Sequence, residues 1–225
     1  MIDLTLDNGT VVPIDCVLFD NDGTLVDTRE ILLRSFRHAA DEVLHTQLPD
    51  EVFLANVGIP LIDQMRLFSD DPETVQRLFD SYHAFNVKIH DEMVRLFPGI
   101  ADALELLHRH DVKLGVVTSK RHALAVHGLE ILGVGDYFDV LVGADDWPEH
   151  KPAPGPVAHA CELLEVDPAR CAYVGDSPFD MKAGNGAGCV AVAAEWGMFE
   201  HKVLAPENPA VVCATVDDFI ARCGA

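Results

Sequence analysis

Positive charge is what this chain has least of. Its 225 residues include 16 lysines and arginines against 37 aspartates and glutamates, a formal net charge of −21. A field of that sign repels nucleic acid and anionic membrane surfaces, so an anionic ligand has to be small and met by positive charge placed locally. Long apolar runs are missing too. None approaches the roughly 20 residues that span a bilayer, and the Met1-Ile2-Asp3 start lacks a basic-then-apolar leader pattern, so the chain reads as cytoplasmic. There is no C-x-x-C pair and no zinc-ligand spacing among the six cysteines, which leaves reduced, structural thiols as the expectation. The histidines scatter as well, and His108-Arg109-His110 closes an apolar-periodic helix, where positive side chains complement the dipole.

What is present is a globular composition, 49% hydrophobic and 24% charged, at a length suited to one generous domain or a core with a smaller insert. The most informative stretch is Cys16-Val17-Leu18-Phe19-Asp20-Asn21-Asp22-Gly23-Thr24-Leu25. An apolar, β-favouring run broken by Asp-x-Asp-Gly-Thr reads as a buried strand ending in two crowded carboxylates. Taken alone, Asp-Gly after a strand is more often a plain turn. As a site, it needs compensating positive charge nearby.

Around it the chain is ordered. Asn8-Gly9 between short alternating runs from Leu4 to Val12 signals a hairpin with a two-residue turn. Thr28 can cap a helix carrying Ile31, Leu32, Phe36, Ala39 and Val43 at helical spacing; a second stretch near 51–68 is interrupted by Gly58-Ile59-Pro60, and a third opens at Pro72. Nothing from Asp27 to Arg95 reads as a strand. From Gly99 helices and Val-rich strands alternate, with strands expected at 112–117, 138–142, 171–174, 189–193 and 210–213. That alternation predicts an α/β fold, a parallel sheet with helices on both faces.

Several strands run into polar residues: Asp20, Thr118-Ser119, Asp145-Asp146 and Asp176. In an open parallel sheet all carboxyl ends lie on one edge, where such folds bind ligands. The plain-turn reading of Asp20-x-Asp22 then requires a coincidence repeated three times more. Asp20, Asp22, Asp176 and Asp180 supply hard oxygen ligands, which suit a divalent cation, magnesium best. Lys151, in a loop past a strand end, brings an ammonium to the same edge. Ser177-Pro178-Phe179-Asp180 also fits a capping box, a role compatible with the metal site. Asp145 and Asp146 are expected to be loop acids outside the chemistry.

Asp20-Asn21-Asp22-Gly23-Thr24, Val116-Val117-Thr118-Ser119, Lys151-Pro152 and Gly175-Asp176-Ser177-Pro178-Phe179-Asp180 resemble, in order, the four motifs of the haloacid dehalogenase-like hydrolase superfamily. The resemblance implies a Rossmann-like core from residues 1–26 and 95–225 and an inserted α-helical cap over 27–94. It also implies phosphoryl transfer: Asp20 as nucleophile, Asp22 as acid and then base, Thr118 and Lys151 on the phosphoryl oxygens, with Thr24, Ser119 and Lys120 as further substrate contacts. Asp20, the Asp22 carbonyl and Asp176 would bind Mg2+, supported by Asp180. An acid at position 22 points to phosphate esters or anhydrides, whose leaving groups need a proton. Asn21 departs from the apolar residue commonest between the two aspartates. Thr118-Ser119-Lys120-Arg121 and Glu195-Trp196-Gly197 resemble phosphoglycolate phosphatases and their pyrophosphate-cleaving relatives, so a small phosphorylated metabolite is the expected partner. In the cap, Gly58-Ile59-Pro60, Arg66, His83 and Lys88 are specificity candidates, though for any one of them an ordinary loop or solvated helix face weighs more. Two alternatives stand beside this reading. A sugar phosphomutase would return the phosphoryl group to a hexose hydroxyl, which product analysis would show; a non-catalytic binder would have no use for Asp22 and would not turn over an aryl phosphate.

Overall fold

A computed structural model describes residues 1–224. The chain opens with the antiparallel hairpin of β1 (Ile2–Thr5) and β2 (Val11–Ile14), and β3 (Cys16–Phe19) follows at once. Four helices come next: α1 (Arg29–Ala39), extended by a π-helical turn over Ala40–Leu44, then α2 (Asp50–Leu54), α3 (Leu61–Arg66) and the long α4 (Pro72–Met93). Helix and strand then alternate through α5 (Ile100–Arg109), β4 (Lys113–Val117), α6 (His122–Ile131), β5 (Val140–Val142), α7 (Gly155–Leu163), β6 (Cys171–Gly175), α8 (Pro178–Ala187) and β7 (Val190–Ala194). The chain closes with α9 (His201–Leu204), β8 (Val211–Cys213), α10 (Val216–Arg222) and β9 (Cys223–Gly224).

Six of these strands form one parallel sheet in the order β5-β4-β3-β6-β7-β8. The expected α/β architecture is present. Both faces of the sheet are covered, and strand alternation assigns the side chains. Val17, Phe19, Leu114, Val116 and Val174 pack with α5 and α10, while Cys16, Leu18, Val117 and Tyr173 pack with α7 and α8. The six cysteines are free and buried. Because β3 lies between β4 and β6, the connections leave it in opposite directions. Such a reversal opens a crevice at the carboxyl ends of the strands.

Three local expectations need correction. The hairpin forms, but its loop runs over residues 6–10, closed by Leu6 N–H to the Thr10 carbonyl (2.8 Å) and Gly9 N–H to the Leu6 carbonyl (2.9 Å). It is longer than the two-residue turn that Asn8-Gly9 suggested, and β1 also pairs with β9 at the other end of the chain. Thr28 precedes α1, yet its side chain makes no capping bond and its buried hydroxyl has no partner. The β-strand expected from Phe138 begins at Val140, since a short 3-10 turn over Gly135–Tyr137 takes up the preceding residues.

The helical segment has a core of its own. Phe36 is its hub, 5.4 Å from Phe53 in a stacked arrangement and 4.8 Å edge-on from Tyr82 by ring centroids, and Leu33, Val57, Met65, Val75 and Leu78 fill in around it. The two crossings between this segment and the sheet run side by side. Asp27 N–H donates to the Arg95 carbonyl (2.9 Å) and Phe97 N–H to the Leu25 carbonyl (3.1 Å), so entry and exit form one narrow antiparallel stem.

Candidate active site

The backbone carries the site residues past the ends of their strands in register. Asp20 N–H donates to the Val174 carbonyl and Thr118 N–H to the Val142 carbonyl, both at 2.9 Å, so each side chain leaves the sheet at a fixed height. The Asn21 carbonyl then accepts from the N–H groups of Leu25 (3.1 Å) and Val26 (2.9 Å), closing the Asp-Gly-Thr loop. Gly23 sits at φ +89°, and a Cβ there would lie 2.2 Å from Asp176 Oδ2. Only glycine lets that loop pass so near the second strand's carboxylate. Gly197 meets the same limit: a Cβ on it would lie 2.3 Å from both the Asp176 Cβ and the Gly23 carbonyl.

Oxygens of Asp20, Asp176 and Asp180 fall within 4.8 Å of one another, all three residues being buried. Lys151 is buried among them, its Nζ donating to Asp180 Oδ1 (2.6 Å) and lying 2.9 Å from Asp20 Oδ1. The contact to Asp20 is an ion pair off the hydrogen-bonding direction, so Asp20 Oδ1 has no donor. Burial lifts the Asp20 carboxyl to about 7, Lys151 opposing and the Asp180 charge adding to the rise. Asp176 is pushed well above the usual carboxylate range, first by burial and then by Asp180 and Asp20. Burial alone would lower Lys151, but the carboxylates of Asp180 and Asp20 outweigh it and keep the ammonium charged.

Asp22 stands apart from this cluster and is partly exposed. Burial raises its carboxyl, and the Lys120 ammonium, donating to Oδ1 at 3.1 Å, more than reverses the effect and holds it below the ordinary range. Asp180 is the most fully engaged acid. Oδ1 accepts from Lys151 and lies 3.0 Å from the Tyr173 hydroxyl, while Oδ2 accepts from Ser177 N–H (3.0 Å) and the Ser177 hydroxyl. Both arms of the expected capping box are made. With four donors on it, Asp180 orients Lys151 and has no free lone pair aimed outward.

The sequence-predicted residues separate into those that meet and those that do not. Asp20, Asp22, Thr118, Ser119 and Lys120 all border one cavity of about 480 Å3 between the sheet edge and the helical segment, with Lys151 directly behind Asp20. Thr24 does not border it. Its side chain is fully buried, the hydroxyl 3.5 Å from Asp176 Oδ1, so it supports an acid instead of facing a ligand. Ser119 donates to the Gly58 carbonyl at 2.6 Å, a tie from the sheet edge to the helical segment. Of the cap candidates, Gly58-Ile59-Pro60 and His83 line the cavity, whereas Arg66 pairs with Asp63 on the surface and Lys88 is exposed. Asp145, which also borders the cavity, accepts from His122 N–H (2.7 Å) at the start of α6, and Asp146 accepts from Gly143 N–H (2.7 Å).

Two contributors, Tyr173 and the Met198 amide, were not foreseen. Tyr173 places its hydroxyl between Asp180 and the Val117 carbonyl (3.1 Å), and a lone hydroxyl inside the apolar run Cys171-Ala172-Tyr173-Val174 was the available signal. Met198 N–H donates to Asp176 Oδ2 at 2.7 Å, and Trp196 Nε1 donates to the Thr24 carbonyl at 2.9 Å. Glu195-Trp196-Gly197 thus leads into a loop that braces Asp176.

A model of haloacid dehalogenase-like hydrolases matches residues 17–194. The chain is 36% identical over 196 residues to a PpaX protein of Caldanaerobacter subterraneus subsp. tengcongensis, covering 87% of this chain and 88% of that one. It is 32% identical over 212 residues to pyrophosphatase PpaX of Bacillus pumilus, covering 94% and 97%. The crystal structure of a predicted phosphoglycolate phosphatase from Haemophilus somnus 129PT shares the fold, with a TM-score of 0.86 at 23% identity over 92% of this chain and 97% of that one. The matched span takes in all four acid- and lysine-bearing loops of the sheet edge, and the chain belongs to the haloacid dehalogenase-like hydrolase family.

Proposed function

We propose that the protein is a magnesium-dependent phosphatase that hydrolyses a phosphate monoester or anhydride through an aspartyl-phosphate on Asp20. The observation that carries this reading is the convergence of Asp20, Asp22, Thr118 and Lys120 on one cavity, with Lys151 and Asp176 directly behind. An Asp20 carboxylate oxygen bonds to phosphorus as the bond from phosphorus to the leaving oxygen breaks. Asp22 gives that oxygen its proton. Water then attacks the same phosphorus, passes a proton to Asp22 and restores the Asp20 carboxylate with release of inorganic phosphate. Thr118 and Lys151 hold the phosphoryl oxygens as charge shifts onto them, the larger part of catalysis in such reactions.

The residues present fit a hard divalent cation. Three buried carboxylates lie together, only two of them paired with the Lys151 ammonium; Asp20 Oδ1 lacks a donor, and Asp176 is held in place by Met198 N–H. Asp20, the Asp22 carbonyl and Asp176 would hold Mg2+, with Asp180 behind them as the residue that fixes Lys151. When bound, the ion neutralises charge on the phosphoryl oxygens and on Asp20. Residues 27–94 act in this reading as a cap over the core of residues 1–26 and 95–225, hinged at the Leu25–Phe97 stem. The enzyme is cytoplasmic and its partner a small phosphorylated metabolite. The relatives' names make pyrophosphate and phosphoglycolate the first substrates to try.

The test is to trap the intermediate. Acid quench during turnover, borohydride reduction and peptide mass spectrometry should find homoserine at position 20, dependent on magnesium and lost in excess chelator. Phosphate release without modification at position 20 would overturn the mechanism.

A further inference from the structure

The phosphoryl end of the cavity is supplied by the sheet edge, and the rest of it by the helical segment, where the leaving group must lie. This part of the argument rests on the phosphatase reading above. At about 480 Å3 the cavity lies within the range of roughly 300–1,000 Å3 found for sites that enclose drug-sized ligands. Pyrophosphate or phosphoglycolate would fill only a fraction of it. The wall around the remaining space is mainly carbon: Leu32, Phe36, Ile59, Leu61 and Phe79 all face it. Several of these side chains are only half-buried, apolar surface left open to the cavity after the segment's own core has formed. Its polar groups from the same segment are three amides, the Tyr82 phenol and one imidazole. Gln76, Phe79, His83 and Asn86 recur at helical spacing and make a single face of α4.

The placement of the cations points the same way. Among the described residues lining the cavity, the helical segment contributes no lysine or arginine. The two that do line it come from the sheet edge, and each already faces an acid: Lys120 is 3.1 Å from Asp22 and Arg121 is 3.5 Å from Asp145. A second anionic group on the substrate would have to draw a cation off its carboxylate, leaving that carboxylate exposed to the incoming charge. An alkyl or aryl group would instead replace water against Leu32, Ile59 and Phe79 at no such cost.

We propose that the cavity selects phosphate monoesters whose leaving group is an uncharged, largely apolar alcohol, alkyl or aryl with room for a few amide-facing polar atoms, over pyrophosphate and phosphoglycolate. The ester oxygen leaves with the proton from Asp22, as in the reaction above. Phe79 and its neighbours on α4 act as specificity determinants.

The experiment is a kcat/KM series on the full chain with magnesium, using ethyl, butyl, hexyl and benzyl phosphate beside pyrophosphate and phosphoglycolate. Alkyl esters share one leaving-group chemistry, so a trend within the series reads binding alone. Pyrophosphate has the better leaving group, and an ester that outranks it does so through its organic part. We expect a rise along the alkyl series of up to about fourfold per methylene, with benzyl or hexyl phosphate about tenfold or more above both competitors, which carry a second anionic group. His83→Lys, at a half-exposed helix position, should lower the hexyl-to-pyrophosphate ratio by about tenfold by adding a cation to the wall. A flat alkyl series with pyrophosphate or phosphoglycolate ranked first overturns the inference and leaves the phosphatase reading intact. Turnover of none of these phosphates overturns both.

Discussion

The sheet edge and the helical segment face each other across one cavity and are built on opposite principles. At the sheet edge Asp20, Asp176 and Asp180 gather around Lys151, and Asp22 stands beside them paired with Lys120. Across from it the segment presents carbon, a few amides, one phenol and one imidazole. Fixed dipoles and charges suit a group whose charge shifts during reaction, such as a phosphoryl group, and an apolar wall suits a part of the ligand that only has to be held. The difference teaches that recognition is divided: one side handles the reacting group and the other the remainder.

The sharpest way to break the sheet edge is Asp20→Asn. It should lower kcat by about a thousandfold or more with folding intact, since a nucleophile acts as a unit with its supporting groups; steady-state phosphate release beside circular dichroism checks this, and near-normal activity of the folded variant would refute the covalent route. Next come two substitutions of similar size and different character. Lys151→Met leaves Asp20 and Asp180 buried without their cation and should destabilise by about 3–5 kcal/mol, more at pH 8 than at pH 5, where Asp20 can protonate. Phe53→Ala, in the segment's aromatic cluster and outside the cavity wall, should cost about 3–5 kcal/mol at either pH. Urea unfolding at both pH values decides it, and equal pH responses would remove the contrast.

Magnesium should stabilise the protein by about 2.7 kcal/mol at a hundred times its Kd, read as a rise in Tm that Asp176→Ala abolishes. The pH response of the chelated protein has a defined sign. With its carboxyl at about 7 folded and an ordinary value of 3.8, Asp20 binds more protons in the native state across that window, so its contribution to stability falls as pH rises from about 4 to about 7. Asp20→Asn removes this dependence and should be more stable than the parent by about 2 kcal/mol at pH 8, and by little at pH 4. A smaller effect should follow Ser119→Ala, which removes the hydroxyl tie to the Gly58 carbonyl and with it about 1 kcal/mol of attachment between the two regions. Thermal unfolding and KM together would show it; an unchanged KM would mean that the tie does not set the cavity.

Much of this molecule was legible in residue order. The run Cys16-Val17-Leu18-Phe19 into Asp20, the Val-rich strands from 113 onward and the helical spacing of 72–93 each follow from a local period, and a parallel sheet gathers all its strand ends on one edge. Asp20, Asp176, Thr118 and Lys151 could therefore be placed together before any contact was seen. The capping box at Ser177-Pro178-Phe179-Asp180 is equally local. Tertiary structure alone decided which charge meets which. Lys120 and Asp22 are 98 residues apart, Thr24 and Asp176 are 152, and no local pattern states that the first pair faces the cavity while the second lies behind it. The same holds for the apolar wall. Leu32, Ile59 and Phe79 read in sequence as ordinary helix and loop residues, and only the packing of α1, α3 and α4 around Phe36 fixes which of them are consumed in the segment's core and which are left facing the phosphoryl site.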